Sequence, residues 1–370
     1  MNNISMTNER IGILGAGQMG VAIAAVFLKR RFHVTLFDTS EQAVTTATER
    51  VAAELALQNI AFSGEMSANL VCTRSLDEVC QATFLLETIT EKLRAKSRLY
   101  TEVAPLMDDS AMLVSNTSTI SINDLAATLP TDTNLAARFC GFHFFHPVRE
   151  RSLVEIIRGS ATSNATLERA KQLAHAIDKT PLAVNDGPGF VVNRLLNAYL
   201  SGSLQLLAEG ATIRQIDVAA EEFGMAMGPF RIMDEIGLDV TMHGGWVLFK
   251  AFPDRVEPSP ILLELVRNGH LGRKTGCGFY RYDSTTMWES PGQPHAELEA
   301  TIAETFRGGN NAPLLSVTTE MILNRSIGEM FREGHRILHD GIVTSPIDVE
   351  LAATLGLGFP KNRWERLVFA

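Results

Sequence analysis

The chain lacks the markers of several protein classes. It has four cysteines in 370 residues, Cys72, Cys80, Cys140 and Cys277, and no two of them form a CxxC pair. That spacing implies no disulfide framework and suits reduced thiols in the cytoplasm. Basic charge is in deficit, with 33 Lys and Arg against 42 Asp and Glu, a formal net charge of -9. A nucleic-acid partner is therefore not expected, because neutralising phosphates needs a basic surface, and an anionic ligand would need a local basic patch. Long apolar runs are also missing: the longest early one, residues 21–28, is too short to span a bilayer, and the start, MNNISMTNER, has no apolar signal core. No polar low-complexity tract argues for disorder. What remains is an ordinary globular composition, 45% hydrophobic and 20% charged, with room for two or three domains.

The first motif is a strand, a glycine turn, a helix and a strand. Residues 10–14 lead into Gly15-Ala16-Gly17-Gln18-Met19-Gly20, then an amphipathic run at 21–29, then a second strand ending at Asp38. Gly15 allows the tight turn, Gly17 admits a pyrophosphate to the backbone, and Gly20 lets helix and strand pack closely. Gly15, Gly17, Gln18, Met19 and Gly20 are thus expected at a dinucleotide. Asp38 has the spacing of a ribose-binding acid and would repel a 2′-phosphate, which favours NAD over NADP.

The alternation continues, with a helix over 44–57, buried strands at 70–73 and 84–87, a helix over 91–104 and a strand at 112–115. Residues just past strand ends face the ligand crevice of such a sheet, which nominates Ile89, Thr90, Glu91, Asn116 and Ser118. The alternative for residues 116–119 is a turn and helix cap. For Lys92, Arg94, Lys96 and Arg98 it is a solvated face, which applies to most of the four.

The candidate chemistry lies at 139–157, which reads as a hairpin with Pro147 in its turn. A five-residue loop at 147–151 pairs His146 with Ser152 and His143 with Glu155. Directly opposed residues have Cβ atoms about 4.5–5.5 Å apart, so imidazole and carboxylate would meet as a general base and its orienting acid. A core histidine is the competing reading of His143. A metal pair with His146 is not expected, because an offset of three on a strand turns the rings to opposite faces and no further His or Cys cluster follows.

GAGQMG, Asp38, ETITEKLRAKS, SNTST, GFHFFHPV, SLVEII and then Pro188-Gly189-Phe190-Val191-Val192-Asn193-Arg194 occur in the order seen in the L-3-hydroxyacyl-CoA dehydrogenases. The chain resembles that family over nearly its whole length, and most of all the dehydrogenase part of bacterial multifunctional fatty-acid oxidation α subunits. The resemblance implies that His143 is the base and Glu155 its partner. It implies that Ser118 and Asn193 position substrate or stabilise the transition state, and that Met19, Asp38, Glu91 and Lys96 contact NAD. The family usually has asparagine where this chain has His146, so cofactor placement or acyl preference is expected to differ there. The multifunctional relatives carry a hydratase domain upstream. With about nine residues before the first strand, that activity is expected to be absent, or the chain to be part of a longer one.

The second half reads as helical, and apparently as helical twice. Asn193-Arg194, Glu209-Gly210, Asp217 and Pro229 recur as Asn324-Arg325, Asp340-Gly341, Asp348 and Pro360, each pair 131 positions apart. Internal duplication is the natural reading, against two unrelated helix pairs. The expected architecture is an α/β Rossmann-type NAD-binding domain at 1–186 and a helical domain at 187–283. A linker at 284–312 and a second helical copy at 313–370 follow. Single-copy relatives typically dimerise through the helical domain, so a tandem copy would cover that face and leave the chain a monomer.

The leading function is NAD-dependent oxidation of an L-3-hydroxyacyl-CoA, with Arg149 and Arg151 as candidates for the phosphates of CoA or as plain surface charge. The alternatives are a dehydrogenase of acyl-carrier-protein thioesters or free hydroxy acids, and a silent NAD-binding relative.

Overall fold

The computed structural model describes residues 9–131, 133–283, 292–307, 317–361 and 363–364. Residues 284–291 and 308–312 of the expected linker, and 313–316, 362 and 365–370 of the expected second copy, lie outside the described residues. The chain divides into two compact units, Met1–Phe190 and Val191–Ala370.

The first unit is a Rossmann-type sheet of eight strands: β1 (Arg10–Leu14), β2 (His33–Phe37), β3 (Leu70–Thr73), β4 (Phe84–Glu87), β5 (Met112–Ser115), β6 (Phe139–Phe144), β7 (Leu153–Arg158) and β8 (Thr180–Asn185). Their order is β3-β2-β1-β4-β5-β6-β7-β8, and every pairing is parallel except β6 with β7. The order reverses between β1 and β4, so the crevice opens beyond the C-terminal ends of β1, β4 and β5.

Three local readings change. Helix α1 (Gln18–Lys29) is not amphipathic, because every residue from Gly20 to Leu28 is buried. It lies in the main core with Phe84, Phe142 and Leu173, so its sequence is apolar all round. The expected helix over 44–57 is two pieces, Glu41–Thr45 and α2 (Ala47–Ala56). The hydroxyls of Thr45 and Thr46 donate back to the carbonyls of Glu41 and Gln42, a contact that bends helices. Strand β3 is the sheet edge rather than a buried strand, and Val71 on it is exposed. Helices α3 (Leu93–Val103) and α4 (Asn164–Ala176) complete the layers, with Ser163 capping α4 through the amide of Thr166.

Among its described residues the second unit is helical apart from one short ribbon. It contains α5 (Val192–Glu209), α6 (Ile213–Phe223), α7 (Pro229–Ile236), α8 (Leu238–Ala251), α9 (Pro260–Arg267), the ribbon β9 (Tyr280–Arg281) with β10 (Gln293–Pro294), α10 (Ala296–Arg307), α11 (Thr319–His339) and α12 (Pro346–Leu351). Thr212 and Gln215 form a capping box that starts α6, and Gly210, with φ of 124°, ends α5. Helix α10 falls inside the expected linker. Leu298 and Ile302 give it a buried stripe one turn apart, a pattern hidden by the polar residues around it.

Two carboxylates organise this unit. Asp217 on α6 accepts the backbone N–H groups of Phe230 and Arg231 and the hydroxyl of Tyr280. Asp234 on α7 accepts the N–H groups of Phe279 and Tyr280 and the hydroxyl of Tyr282, which closes the Gly-rich turn at 269–278 onto the helices. Helix α11 packs along α5. There Arg194 pairs with Glu333 at 2.6 Å and Asp340 at 2.8 Å, while Arg325 pairs with Glu209 at 2.9 Å.

Candidate active site

The glycine turn has the form that the spacing predicts. Gly15 sits at φ 114°, a backbone region that disfavours side chains, and a Cβ on Gly20 would overlap the Gly15 carbonyl oxygen. Gly17 has nothing within 4 Å of a Cβ position, so the backbone there is open to a ligand. Asp38 follows β2 and accepts the amide of Ala16 at 2.8 Å and that of Ser40 at 2.9 Å, which joins the two loops beside the crevice. The guanidinium of Arg50 holds the Ala16 carbonyl from the other side at 2.7 Å. Arg50 carried no motif signal.

The loops after β4 and β5 are held by a buried ion cluster. Lys96 is 1% exposed, unlike its exposed neighbours Lys92, Arg94 and Arg98. Its ammonium lies 2.7 and 2.9 Å from the two oxygens of Glu87 and 3.2 Å from Glu91. Glu87, fully buried, also accepts from Tyr100, Ser115 and the amide of Ile89. Glu91 in turn accepts from the hydroxyls of Thr117 and Thr119 and from the amides of Ser118 and Thr119, all on one oxygen. Burial alone would raise its pKa, but Lys96 and these hydrogen bonds outweigh it and hold the carboxyl at about 2. Glu91 thus shapes the 116–119 turn. Asn116 accepts the amide of Phe144 at 2.9 Å, which ties that turn to β6. Glu87 and Ser115 were missed in the sequence because a polar residue at the end of a buried strand carries no spacing signal, and Tyr100 because it reads as one more residue on the packed face of α3.

His143 and Glu155 are direct cross-strand partners on β6 and β7, as the hairpin register predicts. Nδ1 of His143 lies 2.8 Å from Oε2 of Glu155, with His143 4% exposed and Glu155 fully buried. The rings of Phe145 and Phe190 lie 4.4 and 5.9 Å from the imidazole. A carboxylate on Nδ1 favours the tautomer that carries its proton there, which leaves the lone pair on Nε2.

His146 is exposed beyond the end of β6, and its Nε2 lies 2.9 Å from Nε2 of Gln18. That contact joins the hairpin to the first turn of α1. Desolvation lowers the pKa of the ring, opposed by Glu54 and Glu150 and helped by Arg149 and Arg151. Arg149 is paired with Glu54 and Glu150 rather than free for a phosphate. Lys179 donates at 2.6 Å to the carbonyls of Val148 and Arg151, which orders the hairpin loop. Met19 lies in the first turn of α1 and Ile89, Thr90 and Ser118 lie in the loops after β4 and β5, all in the first unit, whereas Asn193 belongs to the first turn of α5 in the second unit. The sequence also gave no sign that His270, Cys277 and His295 come together in the second unit.

An imidazole backed by a buried carboxylate, on a hairpin linked through His146 and Gln18 to the helix after a glycine turn at the sheet's point of reversal, is the equipment of a nicotinamide-linked dehydrogenase. Residues 10–187 match the NAD binding domain of 3-hydroxyacyl-CoA dehydrogenase, and residues 189–282 match the C-terminal domain of the same family. The chain belongs to the 3-hydroxyacyl-CoA dehydrogenase family of NAD-dependent oxidoreductases. It is 33% identical over 363 residues to the fatty acid oxidation complex subunit alpha of Acinetobacter baylyi, covering 96% of this chain and 50% of that one. The chain therefore spans about half the length of the curated relatives it matches. The (S)-3-hydroxybutyryl-CoA dehydrogenase of Ralstonia eutropha is 33% identical with a TM-score of 0.70, over 75% of this chain and 99% of that one. The 3-hydroxybutyryl-CoA dehydrogenase of Escherichia coli K12 shares the fold at a TM-score of 0.81 and 24% identity, over 95% and 89% of the two chains. No helix among the described residues is long and apolar enough to cross a membrane.

Proposed function

We propose that this chain oxidises an L-3-hydroxyacyl thioester of coenzyme A to the 3-oxoacyl thioester, with His143 as general base. The observation that carries this reading is the 2.8 Å contact between His143 Nδ1 and Glu155 on adjacent strands. His143 removes the hydroxyl proton at Nε2, and Glu155 stabilises the imidazolium that forms. Bound NAD would supply the hydride acceptor. In the reverse direction His143 returns the proton to the carbonyl oxygen. Ser118 and Asn193 hydrogen-bond the developing alkoxide, a role taken from the family resemblance.

Bound NAD would be held by Gly15, Gly17, Gln18, Met19 and Gly20, by Asp38 as the ribose-binding acid, and by the strand-end loops at Ile89, Thr90, Glu91, Asn116 and Ser118. Lys96 acts on it through Glu91, as a positioning residue. His146 replaces the usual asparagine but keeps a polar link to Gln18. Free thiols and bacterial relatives of the fatty acid oxidation type support a cytoplasmic setting.

The test is absorbance of reduced nicotinamide with 3-hydroxyacyl substrates carried on CoA, on acyl carrier protein or free, each run with NAD and NADP. Turnover led by CoA thioesters with NAD supports the reading. Preference for a carrier protein or a free acid replaces its substrate, and no turnover on any of them overturns it.

We read the stretch from α11 onward as a second copy of the helical domain. Arg194 and Arg325 are 131 positions apart, as are Glu209 and Asp340, and the two ion pairs Arg194–Asp340 and Arg325–Glu209 exchange the copies. Gly202 packs on the backbone of Arg325, and its counterpart Glu333 meets Arg194, so a second pair of contacts repeats the exchange. That is the relation of a two-fold interface formed within one chain. The chain is then a monomer in sedimentation, and an obligate dimer joined through α5 would overturn the duplication's role.

A further inference from the structure

We propose that His270, Cys277 and His295, in the second unit, form a binding site for one thiophilic divalent cation of the zinc type. The ligand atoms of the three side chains all lie within 4.8 Å of one another. Sγ of Cys277 is 3.8 Å from Nδ1 of His295, and the rings of His270 and His295 are 5.4 Å apart between centroids. Zinc bound at about 2.3 Å to sulfur and about 2.0 Å to nitrogen keeps tetrahedral ligand atoms roughly 3.5 Å apart. Closing the cluster on an ion therefore needs shifts of about 1 Å or less, within reach of side-chain rotation.

The backbone holds all three ligands in place. His270 follows α9, and its amide donates to Leu265. Cys277 is bridged to Gly272 and Arg281 on either side of the Gly-rich turn. His295 leads into α10, and its amide donates to Phe279. Ligand spacings of seven and eighteen residues conceal the site in the sequence.

The surrounding charges accommodate the exchange of a proton for a metal. Nδ1 of His295 lies 3.1 Å from the carbonyl of Gly278, and Nε2 lies 3.3 Å from Nη2 of Arg281. Without metal, Nδ1–H donates to Gly278 and Nε2 accepts from Arg281. With metal on Nδ1 the proton moves to Nε2, where the carboxylate of Glu297, 3.9 Å away, is the acceptor that orients a metal-bound imidazole. Arg281 is largely exposed and already paired with Glu297 at 2.5 Å, so its guanidinium swings outward without losing that partner. The Cys277 thiol releases one proton to solvent on binding, and the imidazoles ligate in their neutral form. Two imidazoles and a thiolate select zinc, cobalt or copper over magnesium and calcium, and the fourth position is left for water. The bound ion would join the end of α9, the Gly-rich turn and the segment entering α10.

The test uses the untagged full chain, reduced, stripped of metal and titrated with cobalt(II) and then zinc(II). The expected result is one equivalent of cobalt with a thiolate-to-metal charge-transfer band and the intense visible bands of a four-coordinate ion, both bleached by zinc. Zinc should also raise the unfolding midpoint in proportion to the logarithm of its excess. Cys277→Ser should lose the charge-transfer band, and His295→Ala should weaken binding by more than about tenfold. Wild-type protein with native circular dichroism and no charge-transfer band would overturn the site, as would unchanged cobalt spectra in Cys277→Ser.

Discussion

Lys96 and Glu91 meet at 3.2 Å beneath the cofactor crevice, and the same ammonium is shared with Glu87. The lysine is closed off from solvent, so its part in cofactor binding runs through the carboxylate that shapes the 116–119 turn. Lys96→Met leaves Glu87 buried without its cation, a change that costs about 3–5 kcal/mol. The expected outcome is faster hydrogen exchange in β4 and β5 together with a raised KM for NAD. Exchange unchanged to within about 0.5 kcal/mol would mean that the cluster is not what orders these loops.

Gly17 and Gly20 lie one helical turn apart yet should fail in different ways. A Cβ at Gly17 meets nothing within 4 Å, whereas one at Gly20 overlaps the Gly15 carbonyl. Gly17→Val should fold normally and lose more than about tenfold in NAD affinity, because the added bulk fills the space the pyrophosphate needs. Gly20→Val should instead destabilise the first unit before any cofactor is added. Circular dichroism and cofactor titration on the two variants separate these outcomes, and loss of fold in both would remove the distinction.

Asp217 and Asp234 make the second unit sensitive to pH. Burial raises both carboxyls to about 7, against the hydrogen bonds from Phe230, Tyr280 and Arg231 at Asp217 and from Phe279, Tyr280 and Tyr282 at Asp234. Each therefore holds a proton in the folded state that it lacks in the unfolded chain between their two pKa values. Their contribution is complete below the unfolded value of about 4 and is lost as pH rises through about 7. Stability should fall by up to about 1.4 kcal/mol per pH unit for each group across that window. All three tryptophans, Trp246, Trp288 and Trp364, lie in the second half, so denaturant unfolding followed by their fluorescence reports on this unit. Asp234→Asn should flatten the slope, and a slope of opposite sign would contradict the account.

Much of this site was legible because its residues are tied to backbone pattern. The glycine turn announces itself by the strand before it and the helix after it, and the pairing of His143 with Glu155 follows from hairpin arithmetic once Pro147 marks the turn. Lys96 was half legible: its family role was readable, but its burial was not, since three of the four cations on that helix are exposed. Glu87 was invisible, because a carboxylate at a strand end looks like any solvated terminus until Tyr100, Ser115 and Lys96 are folded around it. Helix α10 was read as linker because Leu298 and Ile302, its buried pair among the described side chains, stand among polar residues. The meeting of His270, Cys277 and His295 depends on the pairing of β9 with β10, which no short spacing reports.

The imidazole of His143 is the group on which the proposed chemistry rests. The direct measurement is single-turnover oxidation of a 3-hydroxyacyl-CoA by wild type and His143→Gln, with NAD affinity measured in parallel. The account predicts that the chemical step slows by about 10²–10⁴-fold while NAD binds as before. Oxidation by His143→Gln at close to the wild-type rate would contradict it.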